Sequence, residues 1–196
     1  MDPAKRLAQA AGVWLQYEFA CNRSELFNER CMSAPIASGL YAIYKQEVRS
    51  EFLHPVLGPI KSGPGRRPEV DFAVVKNYPH VSCVLESKWV GANGLSIEEI
   101  VWDLLRLELI VYNEKATGFF LMAGRQKHLE SLFHSTAFVG NPLLIVLSSG
   151  LLFQFRRQAT ALRSSKSKTC PIWLLLAVRA LSLESRVTKK TLGSAR

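Results

Sequence analysis

A chain of 196 residues that is 48% hydrophobic and 21% charged has the make-up of one globular domain with a real core. Its net charge of +9 favours a polyanionic partner such as nucleic acid, although general solubility accounts for the same charge. The cysteines Cys21, Cys31, Cys83 and Cys170 show no C-x-x-C spacing and no paired histidines. That pattern argues against zinc and for buried free thiols in a reducing compartment. MDPAKRLAQAAGVWLQYEF lacks the unbroken apolar stretch of a signal peptide, and IWLLLAVRALSL is cut short by Arg179. The expectation is a cytoplasmic chain with no membrane association.

In chain order, Leu7, Ala11, Trp14, Leu15 and Phe19 recur at helical spacing from Pro3 to about Ala20. Ser24 then caps a second expected helix, SELFNERCM, and Ser33 with Pro35 opens a third that runs through Tyr44. Glu47 to Leu57 reads as a strand ending near Pro55, followed by the Gly, Pro and basic loop GPIKSGPGRRP. Two strands of core composition follow, Val70–Lys76 and Val81–Val90, and the short NYPH link makes them an antiparallel hairpin. Ser96 and Glu99 form a capping box for a helix from Ile97 to about Tyr112. That helix is apolar around most of its circumference, with Glu99, Asp103 and Arg106 as a thin polar stripe. TGFFLMAG reads as a strand, QKHLESLFHS as a short helix, LLIVLSS and GLLFQFRR as further strands, and PIWLLLAVRAL as a strand or a helix, with ATALRSSKSKT a basic loop.

The elements imply an α/β fold, a mixed central β-sheet flanked by helices. It forms a single domain over residues 1–196: a helical layer at 1–46, a core at 47–150, and C-terminal strands with a basic tail at 151–196. No Gly-rich phosphate loop, no H-E-x-x-H and no G-x-S-x-G occurs.

Within the hairpin, Asp71, Glu86 and Lys88 interrupt otherwise apolar strands. A strand alternates with period two, so Glu86 and Lys88 share a face, and the short turn can bring Asp71 beside them. Burying such ions costs several kcal/mol each, on the order of what a binding role or a structural ion pair must offset. Two neighbouring carboxylates repel unless a cation intervenes, and hard oxygen donors suit Mg²⁺. On chemistry alone, a buried salt-bridge network fits these three residues equally well.

An Asp in one strand followed about fifteen residues later by Glu-x-Lys in the next, RPEVDFAVV then VLESKWV, resembles the PD-(D/E)XK nuclease superfamily. The order of elements over residues 24–125 is similar to that superfamily's restriction-endonuclease-like core. Pro68 stands three positions before Asp71 instead of directly before it. The resemblance implies Mg²⁺ or Mn²⁺ held by Asp71 and Glu86, with a backbone carbonyl near Ser87, and Lys88 as the catalytic lysine. It also implies a glutamate from the first core helix, for which Glu29 is chosen over Glu18, Glu25 and Glu51. By the same analogy the stripe Glu99, Asp103 and Arg106 lines the cleft with Arg106 touching phosphate, although a solvent-facing ion pair accounts for that spacing slightly better. The basic loop residues Lys61, Arg66 and Arg67, just before Asp71, would track a DNA backbone at the rim. The implied activity is a metal-dependent endonuclease or exonuclease acting on DNA, working as a homodimer or as a subunit of a larger system. A catalytically inactive nuclease-fold module that binds nucleic acid or serves as a scaffold, and a basic α/β domain unrelated to nucleases, are the alternatives.

Overall fold

Ala4, Leu7, Ala8, Ala11 and Leu15 form the buried stripe of the first helix, α1 (Pro3–Ala20), and its three alanines let a neighbour approach closely. That neighbour is α2 (Ser33–Tyr44). A methyl group on its Gly39 would lie 2.9 Å from Leu7 Cδ1. Pro35 falls in the first turn of α2, where its missing N–H removes no helical bond. The computed structural model describes residues 3–59, 68–125, 128–129, 131–132, 144–146, 152–154, 159–162 and 175–179.

Between α1 and α2 the expected helix is replaced by two single 3₁₀ turns, Ser24–Leu26 and Arg30–Met32, and Ser24 caps nothing. The reason is local. The Asn28 side chain accepts the Cys31 N–H at 3.1 Å, and Cys31 Sγ bonds back to the Asn28 carbonyl at 2.9 Å. This side-chain bonding competes with helical continuation. Cys31 is only partly buried and Cys21 is exposed, so of the described cysteines Cys83 alone fits the buried thiol expected.

The strands are β1 (Glu47–Phe52), β2 (Val70–Val75), β3 (Val81–Val90), β4 (Thr117–Gly124), β5 (Leu144–Val146), β6 (Leu152–Gln154), β7 (Ala159–Leu162) and β8 (Leu175–Arg179). Six of them form a mixed sheet in the order β1-β2-β3-β4-β8-β7, and β5 pairs with β6 apart from it. Among the described residues only β3 and β4 run parallel in the large sheet. A parallel pair needs a long crossover, and helix α3 (Ile97–Glu114) supplies it. Two expectations change. β1 stops at Phe52 because His54 Nδ1 accepts the Val56 N–H and Pro55 opens a 3₁₀ turn. Ala159–Leu162, expected in a basic loop, is a strand whose partner β8 gives it a ladder.

The two faces of the sheet are covered by different helices. Phe72, Val74, Cys83, Leu85, Phe119 and Leu121 pack on α1 and α2. Ala73, Val75, Val84, Phe120 and Met122 pack on α3 through Ile100, Leu104, Leu107 and Ile110. This is a mixed α/β architecture with the sheet between helical layers, as expected. The capping box is present: Ser96 Oγ accepts the Glu99 N–H and Glu99 accepts the Ser96 N–H, both at 3.1 Å. Among the described residues no helix is long and apolar enough to cross a membrane. Lys61, Arg66, Arg67, most of QKHLESLFHS and the basic tail lie outside the described residues.

Candidate functional site

The hairpin register pairs Phe72 with Leu85 and Ala73 with Val84, so Asp71 enters the pairing next to Glu86 and Ser87. Strict alternation fails at Asp71. Val70 packs in the same cluster as Ala73, although the two are three positions apart, while Phe72 packs on the opposite side. In β1 the ladder skips the same level: Ser50 pairs with Phe72 and Phe52 with Val70, and Glu51 between them has φ of 48°. A non-glycine residue in the left-handed region costs about 1 kcal/mol or more, which marks this level of the sheet as locally constrained. The turned Asp71 carboxylate accepts both the Ser87 N–H and the Ser87 Oγ–H on Oδ2, each at 2.8 Å.

Glu86 and Lys88 face α3. Glu86 is 1% exposed, and its Oε1 accepts the Arg106 Nε–H at 3.0 Å. Asp103, 3% exposed, lies one helical turn before Arg106 and accepts the Arg106 Nη2 bond on Oδ1. Its Oδ2 stands 3.2 Å from Lys88 Nζ. Glu29, at the mouth of the 3₁₀ turn before α2, approaches the same ammonium at 3.7 Å. Lys88 thus ties α3 to the segment between α1 and α2.

Burial pushes the Glu86 carboxyl well above the usual range, and the neighbouring Asp71 charge adds to it, outweighing Arg106. Burial likewise raises Asp103 against the pull of Lys88 and Arg106, and raises Glu29 against Lys88. For Lys88 burial works downward, but the charges of Asp103 and Glu29 win and its value rises. Its neighbours therefore favour the ammonium form of Lys88, a hydrogen-bond donor.

A cleft of about 520 Å³ opens beside this network, with Glu29, Arg30, Ser33, Glu51, Asp71 and Arg106 on its wall. Glu86 and Lys88 are set back from the wall, Glu86 bonded to Arg106 and Lys88 paired with Glu29. Of the residues singled out in the sequence, Glu29, Asp71, Glu86, Lys88 and Arg106 come together here. Ser87, expected only to offer a backbone carbonyl, instead orients Asp71 through its N–H and hydroxyl, and Asp103, expected only as part of a polar stripe along the cleft, holds both Arg106 and Lys88. The Asp103-x-x-Arg106 spacing was visible, but an exposed ion pair has the same spacing.

The donor set suits a hard divalent cation in chemical type. The carboxylates Glu29, Asp71, Glu86 and Asp103 meet two cations in this network, Lys88 and Arg106, and Asp71 electrostatically strains Glu86. Among the described residues no three His, Cys, Asp or Glu side chains form a ready metal cage. Mg²⁺ does not demand one, since it takes one or two carboxylates and keeps several waters. Asp71 and Glu86 would hold it, and Arg106 at present occupies one Glu86 oxygen. In comparison with known proteins, the chain matches no family model, no curated protein and no solved structure.

Proposed function

We propose that this chain is a Mg²⁺- or Mn²⁺-dependent deoxyribonuclease with a restriction-endonuclease-like core. The observation that supports it best is the meeting of Asp71, Glu86 and Lys88 beside an open cleft, at the level where the β1–β2 ladder is interrupted. The divalent cation would polarise a phosphodiester and its attacking water. Asp71, fixed by two bonds from Ser87, and Glu86 supply the carboxylates that hold it. Lys88, kept charged by Asp103 and Glu29, donates to the water or to the phosphate oxygen that gains charge in in-line attack. Arg30 and Arg106 on the cleft wall offer phosphate contacts, and the net charge of +9 suits DNA.

A second reading has an observation of its own. Glu86 and Lys88 are already paired with Arg106 and Asp103, as a nucleic-acid-binding module that does not cut would have them. One experiment separates the two. Purified wild type and Lys88→Ala are incubated with supercoiled, linear and single-stranded DNA plus Mn²⁺. Cleavage by wild type alone supports the nuclease. DNA binding without cleavage supports the module, and equal cleavage by both proteins sinks the assigned site.

A further inference from the structure

Arg106 occupies the boundary between the cleft and the buried carboxylates. Its side chain lines the cleft, while its Nε–H is given to Glu86 Oε1 at 3.0 Å. Glu86 is 1% exposed, so a cation that reaches it from the cleft meets Arg106 first. A guanidinium and a divalent cation on one carboxylate repel strongly where water is scarce. Asp103 holds the other end of the guanidinium from its own helix, so Arg106 has a tether that does not depend on Glu86.

We propose that Arg106 is a displaceable counter-ion: it neutralises Glu86 in the metal-free chain and yields that carboxylate to an incoming divalent cation, turning Nε toward the cleft. The inference rests on the reading of Asp71 and Glu86 as metal ligands. It gives Arg106 two successive partners. Without metal the guanidinium caps a carboxylate whose exposure to an unpaired interior is costly. With metal it faces the cleft as a cationic donor, and a phosphate is the group that planar donor geometry matches. Metal occupancy and exposure of the Arg106 phosphate contact become one event, so the cleft adds this second anion-binding group to Arg30 only when the cation is in place.

The test uses wild-type protein and ¹⁵N NMR. The Arg106 Nε–H signal is assigned by its loss in Arg106→Lys, and the Ser87 N–H, bonded to Asp71, reports metal at the site. On saturation with Mg²⁺ the Ser87 signal shifts and solvent exchange of the Arg106 Nε–H accelerates about tenfold or more, as loss of a charge-assisted bond requires. If Ser87 shifts, Asp71→Asn abolishes that shift, and Arg106 exchange stays within about twofold, then metal binds with Arg106 in place. The counter-ion role is then wrong while the metal site stands. If Mg²⁺ moves neither signal, the metal site itself fails and the inference falls with it.

Discussion

Replacing Glu108 with Gln should stabilise the protein at alkaline pH and do little at acid pH. Glu108 lies on α3, 4% exposed, and its Oε2 has no hydrogen-bond partner. Burial pushes its carboxyl up from 4.5 to about 7. A carboxyl whose pKa is raised by folding is bound to more protons in the native state, so stability falls as pH rises from the unfolded value through the folded one. With those two values the ionisation cost is about 0.8 kcal/mol at pH 5 and about 3.3 kcal/mol at pH 8. Glutamine carries no charge at either pH. Urea unfolding of wild type and Glu108→Gln at both values should therefore show the variant gaining about 2.5 kcal/mol relative to wild type between pH 5 and pH 8. The comparison cancels Glu86 and Asp103, which are present in both proteins. An equal stability difference at the two pH values would refute the reasoning.

Asp71→Asn keeps the acceptor that Ser87 needs but removes the charge, so calorimetry should show Mn²⁺ affinity reduced about tenfold or more with little change in the urea midpoint. Unchanged affinity would remove Asp71 from the site. Ser96→Ala deletes one half of the capping box and should cost about 1 kcal/mol, with Ser96→Thr restoring most of it in the same melt. Gly124→Ala would set a methyl 2.7 Å from the Val90 carbonyl oxygen where β3 and β4 end together, and should cost about 1–3 kcal/mol. A wild-type thermal midpoint for that variant would show that the strands separate more readily than their packing implies.

The hairpin and α3 were legible because their signals are local: apolar runs around a short turn, and Ser96 three residues before Glu99. Asp103 was legible only as part of a polar stripe on α3, because that helix is apolar nearly all round and its sequence does not say which partner the stripe meets. The deciding partner, Lys88, lies across the β3–α3 interface. The interruption at Glu51 and Asp71 was hidden for a similar reason. Alternation along a strand can be read from one chain segment, whereas a shared irregularity arises from the pairing of two. The misread helix after Ser24 shows the limit of capping residues as signals: Asn28 offered Cys31 a closer bond than another helical turn would have. The ATAL strand was lost to the basic residues that follow it, although a strand needs only a partner edge, here β8.

The two bonds that fix Asp71 come from a residue only sixteen positions later in the chain. Loop-closure entropy rises with the length enclosed, and the hairpin turn is among the shortest connections in the sheet. Asp71, Ser87 and the adjoining Glu86 and Lys88 therefore belong to a local folding unit, whereas Asp103, Arg106 and Glu29 must arrive on separate elements. The expected order of assembly follows from that difference: Asp71, Glu86 and Lys88 meet first, and Arg106 and Asp103 of α3 close over them afterwards. In kinetic terms, substitutions in the hairpin should weigh on the folding rate, and those that loosen α3 on the unfolding rate.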